Sequence, residues 1–517
     1  MENSTSTTGN VASIERNKVP LVQKAAFGSG HLVNNLLPGA LGVFSFFLIT
    51  AFGIEPAIAG LLAAIPRFFD ALSDPIMGFI TDNTTSKWGR RRPFIFVGAI
   101  LSAILFVVQW QMFEDSGSTY NFWYFLLFSI LFIFANTIFS TPLIGMGYEM
   151  TSDTKERTRL MGIANMVGQI SWMIVPLFWV LIANKDLFES QADGVRTLSI
   201  YVGFACLIFG VLPAIFCREI DVSDKESKAN ITFKDLAKNL GILWENMKNM
   251  TKNNPFMRLC GATFLVFNGF QLVASFSYFI IVFYMYNGSY EMAGTVPAIF
   301  SILGAFATAV LIIPIVSWLA NKYGKRNAFI ISTAISIAGY ILKWWGFVVV
   351  DADTAVLFND VVLQIGVVKF SVEIPLMLLL PVPFMAFGLG GLFTLMMSMT
   401  ADVCDLDELR NGLPRREGTF GAVYWWMVKI GQSIALALGG LVLSIVGFDA
   451  GKSVQTIETM NDLRIADIII PSVTAAFAVW IMWNYNLNED RVSRIKKELE
   501  ARRLIKKNKL KAEQNVI

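Results

Sequence analysis

Two carboxylates lie one helical turn apart within an apolar stretch of the chain. The stretch runs from Ala64 to Gly78 and carries Asp70 and Asp74, with the hydroxyl of Ser73 between them. Residues at i and i+4 share one face of a helix. A charged side chain at the centre of a membrane helix costs on the order of 3 kcal/mol, so such residues are functional candidates. Paired carboxylates suit a hard cation such as Na⁺ or a shared proton, so the spacing predicts a cation site.

Arg67 gives the same stretch a second interpretation. It precedes Asp70 by three residues, so it could form an internal ion pair that only holds helices together. One arginine leaves one of the two carboxylates without a positive partner, which favours the cation site. Both interpretations stay open from the residues alone.

Two lysines interrupt later apolar stretches. Lys429 lies deep between Tyr424 and Gln432, where we predict that it faces a cavity or pairs with Asp70 or Asp74 across the helices. The alternative is that Lys429 extends its ammonium group to the membrane surface. Lys343 lies near the end of its stretch, and we interpret it as a structural residue that reaches the surface in this way.

The composition identifies the elements that must position these groups. Of the 517 residues, 55% are apolar and 16% are charged, and the mean hydropathy is +0.56. Soluble domains carry about a quarter charged residues. Backbone polar groups must pair internally in hydrocarbon, so each apolar run predicts a helix of roughly 20 residues. We predict twelve spans, near 24–52, 57–81, 92–113, 121–148, 158–183, 197–217, 256–286, 293–320, 327–350, 376–403, 416–448 and 466–486.

The positive charges predict the orientation of these spans. With both termini placed in the cytoplasm, 34 of the 42 lysines and arginines fall on the cytoplasmic side and five on the opposite side. This asymmetry is the expected one for a membrane protein with cytoplasmic termini. The predicted organisation is a cytoplasmic segment 1–23, a six-helix bundle 24–218, a cytoplasmic loop 219–254, a second bundle 255–487 and a basic tail 488–517. The tail lies on the anionic leaflet or is solvated.

The two predicted bundles repeat the same loop motifs. A basic, glycine-containing motif follows the second span and again the eighth, and an acidic motif follows the fourth and again the tenth. Such repetition predicts a duplicated six-helix unit, which is typical of transporters. We predict that these loops act as cytoplasmic latches that hold an outward-open state. The predicted coupling and gating residues are Arg67, Asp82, Arg90, Arg91, Arg92, Glu149, Asp153, Asp402 and Asp405.

Motifs in both halves identify a known family. The motifs are Arg67-x-x-Asp70-Ala71-x-x-Asp74-Pro75-Ile76-Met77-Gly78, Trp88-Gly89-Arg90-Arg91-Arg92-Pro93, Glu149-Met150-Thr151 and Ala401-Asp402-Val403-x-Asp405 with Lys429. Together they resemble the glycoside–pentoside–hexuronide:cation symporters of the major facilitator superfamily. The resemblance covers nearly the whole chain, and it implies an all-α membrane fold of twelve helices in two six-helix bundles.

The resemblance also implies roles for single residues. Asp70, Asp74 and Thr137 would bind the cation, Ser73 would replace the family's asparagine, and Lys429 would lie beside them. The solute site departs from melibiose-permease-type members. It would hold Asn35, Ser140 and Asn165, with Ile144 nearby, in place of charged groups and a tryptophan. Lys429 would add a positive charge to this solute site.

The expected function is therefore symport of a sugar or glycoside with Na⁺ or H⁺ across the bacterial plasma membrane. The partners would be the solute, a monovalent cation and membrane lipid; no nucleic acid, resident cofactor or further metal is expected. The sequence has no P-loop, HExxH motif or nucleophile elbow, which argues against ATP-driven transport and hydrolysis. The alternative is a lipid-handling protein or a non-concentrating sensor on the same fold.

Overall fold

The computed structural model describes residues 18–82, 84, 86–113, 116–151, 154–184, 186–218, 241, 245, 248, 250, 252–351, 354–357, 362–365, 368–371, 374–411 and 417–514. Within these ranges, twelve helices are long and apolar enough to span a membrane. The first six are α1 (Leu21–Thr50), α2 (Pro56–Asp82), α3 (Arg92–Gln109), α4 (Ser118–Glu149), α5 (Thr154–Ala183) and α6 (Gln191–Phe216).

The later spans are less regular than the first six. The seventh consists of α7 (Asn254–Val273), α8 (Phe276–Phe279) and a π-helical turn (Ile280–Met285), and a short α9 (Tyr290–Ala293) follows it. The eighth consists of α10 (Val296–Ala307), a π-helical turn (Thr308–Ile312) and α11 (Ile313–Tyr323). The remaining helices are α12 (Lys325–Gly346), a 3₁₀ turn (Leu376–Leu379), α13 (Val382–Asn411), α14 (Glu417–Ile445), α15 (Ile457–Trp483) and α16 (Glu489–Gln514).

The helices pack as two groups. In the first, α1 packs on α5 and α6, and α4 packs on α2 and α3. In the second, α12 packs on α13 and α15, and α7 packs on α14 and α15. The groups meet where α2 packs against α14 and where α5 packs against α10. These two contacts place the interface between the bundles at the molecule's centre.

The α2–α14 contact is closest at two glycines. A Cβ atom on Gly60 would lie 2.9 Å from the Cα atom of Gly440 and 2.9 Å from the carbonyl oxygen of Leu436. Real Cβ atoms do not approach backbone atoms so closely. The two helices therefore touch backbone to backbone, without a layer of side chains between them.

Aromatic rings close one end of the interface. An even number of spans returns both ends of the chain to the same side, which we name the terminal face; the opposite side is the ribbon face. Near the ribbon face, Phe46 of α1 lies 4.5 Å from Phe279, and Trp179 of α5 stacks on Tyr278 at 5.3 Å between ring centroids. We name these four residues the aromatic plug.

The long connection between α12 and α13 contains strands. Strand β1 (Val356–Leu357) pairs with β4 (Ile374–Pro375), and β2 (Val362–Ile365) pairs with β3 (Val368–Ser371), both antiparallel. Val362 lies opposite Ser371 in the inner pair. These strands lie between the predicted ninth and tenth spans, and the sequence did not predict them. The small β-ribbon that they form gives the ribbon face its name.

Two predictions about charged residues in the second bundle were wrong. The twelfth span begins at Ile457 rather than at 466, so Arg464 lies buried inside α15 rather than in a connection. Lys343 does not reach the surface. Its Nζ atom lies 2.5 Å from Asp467, and the two side chains are 3% and 1% exposed. A partner on another helix holds this lysine inside the bundle.

The basic tail is helical and contacts the second bundle. Val492, Ile495 and Leu499 of α16 are buried among the residues of its core. Arg502 donates to the carbonyl oxygen of Leu409 at 2.9 Å, and Lys496 lies 3.5 Å from Asp402. The described part of the tail thus packs on α13 at the terminal face with one side of its helix, so it is not simply solvated.

Candidate functional site

Two helical turns on α2 face two helical turns on α4. Thr137 Oγ1 lies 3.5 Å from Asp70 Oδ1, and Thr141 Oγ1 donates to Asp74 Oδ1 at 3.1 Å. Ser73 Oγ lies 2.9 Å from Thr137 Oγ1. The i, i+4 spacing on both helices brings these groups into register. The result is a row of carboxylate and hydroxyl oxygens between α2 and α4.

Lys429 of α14 completes this row from the other bundle. Its Nζ atom lies 3.0 Å from Asp70 Oδ2 and also contacts Asp74 Oδ2. Arg67 Nη1 lies 3.6 Å from Asp70 Oδ2. The two carboxylates therefore meet two positive charges, Arg67 from their own helix and Lys429 from the other bundle, in agreement with the predicted pairing of Lys429 with Asp70 or Asp74. A cation bound to both carboxylates would have to displace an ammonium group that belongs to the protein.

Access to the two carboxylates differs. The Asp70 side chain is 6% exposed, while those of Asp74 and Lys429 are 32% and 26% exposed. Asp74 and Lys429 therefore form the open side of the site, and Asp70 its buried side. Carboxylate and hydroxyl oxygens are ligands for hard cations, and a carboxylate beside a displaceable ammonium can also take up a proton.

The sequence reasoning missed Thr141 as a member of this site. The signal was present: Thr141 follows Thr137 by one turn, just as Asp74 follows Asp70. A second missed contact links the bundles beside the site. Ser433 of α14 donates to the carbonyl oxygen of Ala64 at 2.7 Å and is itself buried. Thr141 and Ser433 both lie within one or two helical turns of residues that were predicted for the site.

Apart from Lys429 of α14, the residues of the predicted solute site lie on three helices of the first bundle. A Cβ atom on Gly168 of α5 would collide with the Asn35 amide nitrogen of α1, so these two groups are in close contact. Asn165, on the same helix as Gly168, is exposed and accepts a hydrogen bond from Gln169 at 3.4 Å. Ser140 is half-buried on α4. The role of the three predicted residues in binding a solute stays a prediction.

The basic and acidic loop motifs form ion pairs at the terminal face. Arg90 Nε donates to Glu149 at 3.0 Å, and Arg91 Nη2 lies 2.9 Å from the same carboxylate. Arg92 donates to the carbonyl oxygens of Ala214 and Ile215 at 2.7 and 3.0 Å. All of these contacts lie within the first bundle.

The second bundle repeats this arrangement. Lys325 Nζ lies 2.5 Å from Asp402, and both Asp402 and Asp405 are buried. These contacts hold each motif to its own bundle, so their action as latches between the bundles stays a prediction. The Asp82 side chain and Asp153 lie outside the described part of the chain.

Comparison with known proteins identifies the family. The MFS/sugar transport protein family matches residues 26–489. The glucuronide carrier protein homolog of Escherichia coli strain K12 is 22% identical over 486 residues, which cover 93% of this chain and 95% of that protein. The isoprimeverose transporter of Lactiplantibacillus pentosus is 24% identical over 462 residues, which cover 89% of this chain and 87% of that protein.

A solved structure shows the same fold. The bacterial homolog of the human lysosomal transporter Spinster, in an inward-facing and unoccupied conformation, superposes with a TM-score of 0.61 at 16% identity. The match covers 90% of this chain and 97% of that chain. It confirms the predicted all-α major-facilitator fold of twelve helices, to which the β-ribbon is a local addition.

The family match also confirms the resemblance drawn from the motifs. Its members and the structural neighbours are membrane transporters, so the chain is an integral membrane transporter and not an enzyme. The chain belongs to the MFS/sugar transport protein family, of the glycoside–pentoside–hexuronide:cation symporter type.

Proposed function

We propose that this protein carries a sugar or glycoside across the membrane by alternating access, in symport with a monovalent cation, Na⁺ or H⁺. One observation carries the proposal. Lys429 of the second bundle lies against both Asp70 and Asp74 of the first bundle. A cation that binds these carboxylates changes a contact between the bundles, and such a change is what coupling to a rocking motion requires.

The coupling follows from competition for the carboxylates. Without a bound cation, the Lys429 ammonium and the Arg67 guanidinium balance the charges of Asp70 and Asp74, and Lys429 ties α14 to α2. A bound cation takes the place of the Lys429 charge and leaves Lys429 free to move with its own bundle. If solute binds better once Lys429 is released, then by linkage solute must strengthen cation binding by the same factor.

The proposed solute class follows from the groups of the predicted solute site. Asn35 and Asn165 supply amide donors and acceptors, which pair with sugar hydroxyls at about 1 kcal/mol net for each hydrogen bond. Two relatives are named as a glucuronide carrier homolog and an isoprimeverose transporter. An acidic sugar would gain a further contact from a released Lys429, so neutral and acidic sugars both fit the proposal.

The proposed setting is the plasma membrane of a bacterium with both termini in the cytoplasm. The distribution of lysine and arginine supports this orientation. The aromatic plug would then close the interface between the bundles on the outer side, and the state described here would be one of the two that transport requires.

Uptake by proteoliposomes tests the proposal. The parent should accumulate at least one member of a panel of glycosides and uronates when a Na⁺ or H⁺ gradient is imposed. Asp74→Asn should abolish that accumulation. Asp186 offers a matched control. It is exposed and lies in the connection between α5 and α6, outside the site, so Asp186→Asn removes a carboxylate that the proposal does not use.

Three outcomes would contradict the proposal. Accumulation by Asp74→Asn equal to that of the parent would show that the carboxylate pair is structural. Saturable sugar binding without accumulation under either gradient would indicate a sensor. Movement of a lysophospholipid instead of every sugar in the panel would indicate the lipid-handling alternative.

A further inference from the structure

A second buried ion pair lies far from the proposed cation site. Lys343 of α12 and Asp467 of α15 approach to 2.5 Å, and both are almost completely buried. The pair lies in the second bundle, between two helices that take no part in the α2–α14 or α5–α10 contacts. The proposed transport cycle does not use it.

A buried ion pair is not an efficient way to stabilise the folded protein. Burial of two charges costs several kcal/mol for each ion, and a buried pair often contributes no more than well-packed apolar residues. Asp467 Oδ1 is buried and lacks a hydrogen-bond partner in the described structure, which adds to this cost. A buried pair of this kind can instead fix one arrangement of the surrounding elements.

The pair acts on the seventh span. Lys343 Nζ donates to Ser277 Oγ at 3.2 Å. One helical turn before Asp467, Arg464 donates to the Tyr284 hydroxyl at 2.7 Å. Lys343 and Arg464 come from the adjacent helices α12 and α15, so the hydroxyl groups of Ser277 and Tyr284 face the same side of the segment that begins at Ser275. The positively charged side chains of Lys343 (α12) and Arg464 (α15) therefore hold the back of this segment through its hydroxyl groups.

The other face of the same segment closes the interface. Tyr278 and Phe279 belong to the aromatic plug and contact Trp179 and Phe46 of the first bundle. Tyr278 also shares a hydrogen bond with Ser301 of α10 at 3.0 Å. The segment is therefore held from behind by its own bundle while its front contacts the opposite bundle.

The backbone of the segment is interrupted just before its start and again within it. Helix α7 ends at Val273, and a π-helical turn covers Ile280–Met285. π-helical turns inside α-helices are frequent at functional sites, and an interrupted hydrogen-bond ladder lets one part of a span move relative to the rest. Residues 275–286 can thus change position without a movement of α7.

We infer that Lys343, Asp467 and Arg464 are positioning residues for a gate. They hold residues 275–286 in the position in which Tyr278 and Phe279 close the ribbon face. To open that face, the segment must break the contact of Ser277 with Lys343 and that of Tyr284 with Arg464. The strength of these two contacts therefore determines how often the ribbon face opens. The inference goes beyond coupled symport, because the position of this gate can be measured without a known solute or a known cation.

Distances between spin labels test the inference. Glu189 and Lys452 are exposed at the ribbon face, one in each bundle, so Glu189→Cys and Lys452→Cys supply the label sites in nanodiscs. The four native cysteines are buried, and labelling of the parent without these sites measures their background. No transport assay is needed, so failure of this inference can be distinguished from failure of the proposed symport.

Ser277→Ala is the decisive variant, because it removes one contact to the segment and keeps the ion pair. The paired change Lys343→Met with Asp467→Leu removes the anchor without leaving an unpaired charge. Ser336→Ala is the matched control, since this buried serine of α12 donates to the carbonyl oxygen of Thr333 in its own helix.

We expect Ser277→Ala to raise the population with a long label distance several-fold, the paired change to raise it further, and Ser336→Ala to leave it at the parent value. An unchanged distance distribution in Ser277→Ala would overturn the inference. An increase of the same size in Ser336→Ala would also overturn it, because the effect would then follow from loss of any buried serine in this bundle.

Discussion

Thr141 stands to Asp74 as Thr137 stands to Asp70. The hydroxyl-to-carboxylate distances are 3.1 and 3.5 Å, and each threonine follows its aspartate by 67 residues. The proposed cation site therefore has two levels, one helical turn apart. The buried level holds Asp70, and the more exposed level holds Asp74.

The exposed level gives the first prediction. Thr141→Val removes the hydroxyl that donates to Asp74 while it keeps the shape of the side chain. In the proposed site the Thr141 oxygen is also a ligand of Na⁺, and loss of one contact to a charged group costs about 1.5 kcal/mol, so we expect roughly tenfold weaker Na⁺ binding. Calorimetric titration of the purified protein with Na⁺ measures this change. Thr141→Ser keeps the hydroxyl and should bind as the parent does; equal losses in both variants would contradict a ligand role.

The second prediction concerns competition by Lys429. Lys429→Met removes the internal ammonium group and leaves Asp70 and Asp74 with Arg67 as their described positive neighbour. Like charges at this distance raise the affinity for any added cation or proton. We expect tighter cation binding together with loss of coupled accumulation. Lys429→Arg, which keeps the charge, should not tighten binding. Weaker cation binding by Lys429→Met would show that the lysine assists the cation instead of competing with it.

The third prediction tests the placement of Asn35. The methyl group in Gly168→Ala would collide with the Asn35 amide, while a Cβ atom on Gly162 of the same helix meets nothing within 4 Å. We expect Gly168→Ala to weaken solute binding several-fold, because the amide must move, and to leave cation affinity without solute unchanged. Gly162→Ala should leave both affinities unchanged. Solute binding at the parent level in Gly168→Ala would remove Asn35 from the site.

The fourth prediction concerns pH and Glu156 at the terminal face. Lys24 lies 2.5 Å from this carboxylate, and the Val19 amide donates to it at 3.1 Å. The hydrogen bond from Lys24 is the largest cause that lowers the pKa of Glu156 below its ordinary value of 4.5. A lowered folded-state pKa stabilises the fold at pH values above 4.5, and this contribution is lost as the pH falls through the folded-state pKa.

Thermal unfolding of the parent and Glu156→Gln checks this prediction. The parent should be more stable by a constant amount at neutral pH, and the difference should shrink below about pH 4.5. Glu458→Gln, at the start of α15, is the control for loss of an acidic residue in a first helical turn. A difference between parent and Glu156→Gln that grows on acidification would contradict the assigned sign.

Local spacing predicted much of the candidate site before any tertiary structure was known. Asp70 and Asp74 share a helical face because of their spacing, and a lysine as deep as Lys429 requires a carboxylate or a cavity. Charges are so costly in an apolar span that each one restricts the possible partners. The sequence therefore predicted that Lys429 contacts these aspartates, although 355 residues separate it from Asp74.

The features that sequence reasoning missed depend on contacts between helices. Lys343 was interpreted without Asp467, which lies 124 residues away in a stretch whose charged beginning resembled a loop. Arg464 was placed outside the twelfth span for the same reason, since its contacts with Tyr284 and Trp344 cannot be read from one segment. The β-ribbon was missed because strands of only two to four residues carry little periodicity.

The backbone contact of Gly60 with Gly440 has a consequence for the speed of the transport cycle. Interdigitated side chains must separate before two helices can slide past each other, which adds a steric barrier. Two helices in backbone contact have few side chains to separate. The α2–α14 contact can thus let the bundles move against each other with a low steric barrier. On this view the glycines leave the balance between open and closed states to other residues and instead keep the passage between those states fast.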